Sequence, residues 1–292
     1  MRGASGDVRM GFKASQWGVD WPTLLAIWEL GDSMPEFDSG WLFDHFSAVR
    51  DREATDDGVH EAMTSAAALA ARTRRLQFGH IVLGNTHRHP ALLARMATTV
   101  DHIAGADRFV LGLGTGWLEA DHDMYGWPLP SMAVRTEMLE SAVRVIRAMW
   151  AAPRGVSLTA APYELREAET IPPPVTAGGP PIWLGVQGPR GLDLVARLAD
   201  GWNANGSVSE YRERRDTLLR ACERHNRDAG EIEVSAQVMC IGRESREIVE
   251  VAEALIREGV DHLIFVILAA DGTDGLRRLS RDIVAPLRDR YV

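Results

Sequence analysis

Asp44 and His45 stand side by side at the end of an apolar run, GWLFDHF (Gly40–Phe46). A titratable group at the end of a buried strand is costly unless it is used. Histidine is the side chain best suited to move protons near neutral pH. A satisfied structural histidine is the other reading. Two glycine-rich stretches also follow apolar runs. One is FVLGLGTGW (Phe109–Trp117), with Gly112, Gly114, Thr115 and Gly116; the other is GVQG (Gly185, Val186, Gln187, Gly188). Glycine weakens a strand interior. These positions therefore serve either a turn needing positive φ or a close approach of backbone to a ligand. GLGTGW is a poor dinucleotide fingerprint, because Trp117 stands where the third glycine would fall and no acid ends the next strand at the expected distance. GVQG opens a helix, whose free N–H groups favour an anion such as phosphate. His87 and His89 form an HxH pair, but the later strands offer too few histidines to complete a metal site, and His89-Pro90 reads as a helix start. No metal is expected. No GxSxG elbow or catalytic cysteine pattern appears, which disfavours covalent acyl chemistry.

These residues need elements to hold them. Strand-like runs alternate with helical periods along the chain: 10–15, 40–46, 76–85, 109–114, 181–186, 201–205, 233–242 and 261–268 read as strands, each followed by a helical segment. Leu139, Ala142, Val143, Ile146, Met149 and Trp150 share one helical face. Eight strand–helix units without a second core point to an α/β fold, a closed (β/α)8 TIM barrel over 1–292, with an open doubly wound sheet as the alternative. A Pro- and Gly-rich stretch at about 151–181 breaks the rhythm and reads as an insertion with a short hairpin. Barrel active sites lie at the C-terminal strand ends. Those ends carry Ser15 and Trp17, Asp44 and His45, Gly84 and Asn85, Gly114–Trp117, Gly185–Gly188, and Trp202. Glycines, polar groups and tryptophans together suit a large, flat, partly polar ligand.

Composition narrows the classes. The 292 residues are 46% hydrophobic and 25% charged, with a net charge of −9. No basic stripe suggests nucleic acid and no Lys/Arg block suggests an anionic membrane. Only one of the 32 basic residues is a lysine, Lys13. Cys222 and Cys240 form no framework, which fits a reducing compartment. The start, MRGASGDVRMGF, has no apolar h-region, so the expected location is the cytoplasm.

Several segments carry a resemblance. FDSGWLFDHF (37–46), VLGNTHRHPALLARMATTVDHIAGADRFVLGLGTGWLEADHDMYGWPLP (82–130) and PPIWLGVQGPRGLDLVARLADGWN (180–203) resemble the bacterial luciferase-like monooxygenases, in their deazaflavin (coenzyme F420)-dependent branch. The likeness implies a luciferase-like barrel with an insertion after the fourth helix, and a ring bound in its mouth. It implies a non-prolyl cis peptide at Ile81–Val82 behind that ring. Gly84, Asn85 and Gly114 to Trp117 would lie along the cofactor, and Gly185–Gly188 at the phosphate end of its tail. Asp44 and His45 match a pair in which the histidine stands by the reacting face. Ser15, Trp17, Glu119 and Trp202 would face the substrate. The implied activity is hydride transfer between F420 and a small organic substrate, in a homodimer, with His45 as acid/base. An FMN-dependent monooxygenase and a non-catalytic flavin-binding barrel are the alternatives. Two family carboxylates are missing: Trp117 follows the GTG, and Gln16-Trp17 follow Lys13-Ala14-Ser15. With lysine so scarce, this argues against a sugar-phosphate substrate.

Overall fold

The computed structural model describes residues 8–47 and 58–292. The first seven residues, part of the segment read above for a leader, lie outside them. Eight parallel staves close into a barrel. Along the chain they are β1 (Arg9–Ala14), β2 (Ser39–Leu42), β3 (Gln77–His80) with its continuation β4 (Leu83–Gly84), β5 (Phe109–Gly114), β8 (Ile182–Leu184), β9 (Gly201–Ala204), β10 (Glu233–Met239) and β11 (His262–Ile267). Neighbours run β3-β2-β1-β11-β10-β9-β8-β5, and β3 pairs with β5 to close the ring. The barrel expectation therefore holds, and the open sheet does not. Between β5 and β8 the chain forms the antiparallel hairpin β6 (Val156–Ala160) and β7 (Tyr163–Ala168), set where the insertion is expected.

Outer helices cover the staves: α1 (Trp21–Ser33), α2 (Ala62–Arg72), α3 (Pro90–Ala104), α5 (Met132–Ala151), α6 (Pro189–Leu198), α7 (Val208–Arg224), α8 (Ser245–Arg257), α9 (Gly272–Leu279) and α10 (Ala285–Tyr291). Asp20, Glu61, Ser131 and Ser207 each accept a backbone N–H at a helix start, satisfying donors the helix itself cannot. A further short helix, α4 (Glu119–Tyr125), follows the GTG turn and has no counterpart in the sequence reading. Its seven residues are too few to show a helical period. The strand expected over 76–85 is interrupted at Ile81–Val82, where the peptide is cis. Among the described residues, no helix is long and apolar enough to cross a membrane.

Inside the barrel, Trp41 stacks on Trp183 with ring centroids 4.8 Å apart, and Ile81, Val110 and Ile264 pack around them. Below this plug, His262 joins Ser39 (2.7 Å) and Glu233 (3.2 Å) at the N-terminal end, far from the strand ends where chemistry is expected. Gly112 has a specific structural reason. A Cβ there would lie 1.8 Å from the carbonyl oxygen of His80 on the neighbouring stave. Gly112→Ala should therefore destabilise the fold by about 3 kcal/mol, the upper end of overpacking costs. The check is the urea midpoint; a midpoint equal to that of the parent protein would show that the two staves part freely here.

Candidate active site

A cavity of about 430 Å³ opens at the C-terminal ends of the staves. That is within the usual range for small-ligand sites. His45 lies on its wall, just past β2. Its Nδ1 is 3.3 Å from Oδ2 of Asp121 on α4, and its ring meets Trp117 edge-on at 5.4 Å. With Nδ1 engaged, Nε2 is the nitrogen available to a ligand. Asp121 is buried and also accepts from the Phe46 N–H (3.2 Å) and the Ser47 hydroxyl (2.5 Å). Burial opposes its ionisation, but the hydrogen bonds from His45, Ser47 and Phe46 outweigh that and hold its carboxyl below the usual range. The short helix absent from the sequence reading thus carries the group that orients His45.

Asp44 points the other way. Its carboxylate takes both Arg88 Nη groups (2.7 and 2.8 Å), His87 Nδ1 (3.1 Å) and the backbone N–H of Gly84 (2.9 Å). Arg88 in turn donates to Glu61. Burial works against the charge on Asp44, yet the partners His87 and Arg88 depress its pKa well below the ordinary carboxylate range. Asp44 therefore acts on the cavity through the β4 end that it anchors. His87 belongs to this cluster, and His89 caps α3 by accepting the Ala91 N–H (3.2 Å).

The glycines end β5, two staves round the barrel from β2. Gly114, Thr115 and Gly116 line the cavity, and Gly116 has φ of +74°. A Cβ on Gly114 would meet Val82 Cγ2 at 2.6 Å, and one on Gly116 would meet Thr86 Oγ1 at 2.4 Å. The turn and the close approach are thus both real, and the atoms approached belong to the protein's own Val82–Thr86 segment. Ile81, Val82, Gly84, Gly185 and Gln187 reach the same cavity, as do Ser15, Trp17 and Trp117.

Five expected positions do not reach it. Trp202 is fully buried outside the barrel, stacked on Tyr211 of α7 and donating to the Val186 carbonyl (2.8 Å). Val186 packs in the outer core. Both fail for the same reason: strand side chains alternate between faces, so Gln187 and Asn203 face inward and their neighbours face out. Asn85 is buried against Tyr163 (3.4 Å). Glu119 is exposed in the first turn of α4, and Gly188 caps α6 in solvent. Gln16 is buried and clamps the end of β2 through the Phe43 carbonyl (2.6 Å).

Wall residues that the sequence reading did not single out include Gln237, Met239 and Leu118. Polar side chains at alternate positions of β10 (Ser235, Gln237) were the available signal. Lys13 shares this wall. It donates to Gln237 Oε1 (3.1 Å) and the Ile81 carbonyl (3.4 Å), and burial pulls its pKa down to about 8.

Comparison with known proteins places this geometry. A sequence model of the luciferase-like monooxygenases matches residues 36–281. A phthiodiolone/phenolphthiodiolone dimycocerosates ketoreductase of Mycobacterium sp. (strain JLS) is 30% identical over 249 residues, covering 78% of this chain and 63% of its own. An F420-dependent glucose-6-phosphate dehydrogenase of Microbacterium testaceum is 33% identical over 199 residues, covering 67% of this chain and 56% of its own. The chain thus spans between 56% and 63% of the length of these relatives. Among solved structures, an F420-dependent secondary alcohol dehydrogenase with an F420–acetone adduct superposes with a TM-score of 0.80 at 16% identity, covering 95% of this chain and 99% of that one. A long-chain alkane monooxygenase gives 0.79 at 14% identity, covering 98% and 92%. At such identities the likeness is one of fold.

Proposed function

The chain belongs to the luciferase-like monooxygenase family, and on that premise we propose that it is an oxidoreductase passing a hydride between coenzyme F420 and a small organic substrate. The observation that carries this reading is that His45 and the backbone of Gly114 to Gly116 line one cavity. A flat ring fits such a cavity. His87 Nε2 is buried on the same wall with no hydrogen-bond partner among the described residues, so a polar edge of the ring has a group to meet. Gly84, Gly114–Gly116, the Ile81–Val82 segment, Gly185 and Gln187 would hold the cofactor. When bound, F420 supplies or accepts the hydride.

The protein's own part is positioning and proton transfer. His45 Nε2 gives a proton to the substrate atom that gains negative charge on reduction, or takes it in the reverse direction. Asp121 fixes the ring that does this, as a third group orients a catalytic base. Trp17 and Trp117 narrow the mouth toward flat or apolar substrates. The absence of a carboxylate at position 117 argues against sugar-phosphate oxidation. A cytoplasmic homodimer belongs to the same reading, and sedimentation of the purified protein tests the dimer.

The direct test is a fluorescence titration with F420 and, separately, with FMN. Micromolar or tighter binding of F420 over FMN is expected. A preference for FMN, with oxygen consumed in turnover, would overturn the reading in favour of a monooxygenase.

A further inference from the structure

The chain's only lysine is inside this cavity. Lys13 lies on β1 opposite Val266 of β11, with its ammonium turned to the barrel interior. Its contacts are all neutral. Gln237 Oε1 accepts from it, Gln237 Nε2 donates onward to Asn203 Oδ1 (2.9 Å), and Asn203 Nδ2 donates to Ser235 Oγ (2.9 Å). The Gln237 amide oxygen faces the lysine, and its NH₂ group is spent on Asn203. The belt satisfies the ammonium with dipoles and supplies no counter-charge.

No carboxylate among the described residues pairs with it. The other titratable groups on the cavity wall are Asp44, His45 and His87. Asp44 is already saturated by Arg88, His87 and Gly84, and His45 and His87 carry no negative charge. An ammonium has three N–H donors, and the belt and the Ile81 carbonyl occupy two. A buried charge without a partner is costly, which is consistent with the lowered pKa of this amine.

We propose that Lys13 is the counter-ion for an anionic oxygen on the bound ligand, a carboxylate, phenolate or enolate that reaches the floor of the cavity. The inference deepens the proposed function, since it assigns the charge recognised by that same site. A single ammonium with no arginine on the wall suits a singly charged oxygen better than a phosphate dianion. Lysine also differs from the arginines used elsewhere in the chain: its charge is compact and fits behind a ring where a planar fork would not.

The oxygen could sit on the cofactor or on the substrate, and the test separates them. Binding of F420 is measured for wild type and Lys13→Met. Binding of benzoate and of its neutral analogue benzamide is then measured for both proteins in the presence of F420. Loss of a charge-assisted hydrogen bond should weaken the anionic ligand by roughly 10- to 100-fold. Benzamide should change less than two-fold. Weakening of F420 alone assigns the oxygen to the cofactor; weakening of benzoate alone assigns it to the substrate.

A second measurement needs no variant. Wild-type affinity for the anionic ligand should fall as pH rises through about 8, where Lys13 loses its proton, while benzamide stays level. Unchanged F420 and benzoate binding in K13M overturns the proposal. So does benzoate binding wild type no better than benzamide, when F420 binding is also indifferent to Lys13. The outcomes stay distinct from the broader reading: F420 bound equally by both proteins defeats the role of Lys13 on the cofactor and leaves F420 use standing.

Discussion

His45→Ala should lower turnover by roughly 10²- to 10⁴-fold, the usual contribution of a positioned acid or base, while F420 binds within a few-fold of wild type. The asymmetry follows from the residues proposed to hold the ring. His45 meets the cavity with one nitrogen, and its other contacts are Asp121, Phe43 and Trp117. The cofactor's proposed supports are elsewhere, in the backbone of Gly114 to Gly116 and the Ile81–Val82 segment. Removing the imidazole therefore takes away a proton path and leaves the cradle. Asp121→Asn should give a smaller fall, on the order of 10-fold, because an amide can still contact Nδ1 but no longer carries charge. If His45→Ala turned over at the wild-type rate, the proton would come from another group. If it lost F420 and activity together, His45 would be a binding residue. A steady-state assay with F420 titrated separately distinguishes these cases.

Much of the barrel could be read because its signal is local. Strand-length apolar runs and helical periods recur in order, and each is decided by its own residues. The position of the site could be read for a related reason: in a parallel barrel all strands end on one face, so His45, Gly114 and Gly185 must converge. Two kinds of information were harder to reach. One was which side of the barrel wall a residue faces. Trp202 looked like part of an aromatic mouth, yet Asn203 is the inward residue and Trp202 packs on Tyr211. That parity is present in the sequence, but both faces of a parallel strand are buried, so apolar patterning does not reveal it. The other was pairing through space. Nothing near Asp121 in the sequence announces His45, 76 positions earlier. The glycines of FVLGLGTG illustrate both limits. Gly114 and Gly116 do line the cavity and Gly112 does not, and the crowding that excludes a Cβ comes from His80, Val82 and Thr86.

Asp44→Asn should cost about 3–5 kcal/mol, the penalty for breaking a buried ion pair by removing one partner. For a chain of this size that is a fall in melting temperature of roughly 10 °C. The cost is large because Arg88, with a side chain only 9% exposed, would keep its charge while losing its bidentate partner. Burial disfavours the charged guanidinium, and Asp44 and Glu61 are what hold its pKa above the ordinary value. The pH dependence has a definite sign. Folding depresses the Asp44 pKa, so its contribution is complete above the unfolded value of about 3.9. It is lost progressively as pH falls below that value toward the folded pKa. The stability difference between wild type and D44N should thus be full at pH 6–7 and shrink below about pH 4, read from urea midpoints across that range. A difference that stayed constant down to pH 3 would mean that packing, and not charge, is what Asp44 supplies. Activity should fall in D44N as well. Asp44 ties the end of β2 to Gly84 and Arg88, and His45 is the next residue along the chain, so loosening the anchor moves the proposed acid/base relative to the rest of the cavity wall.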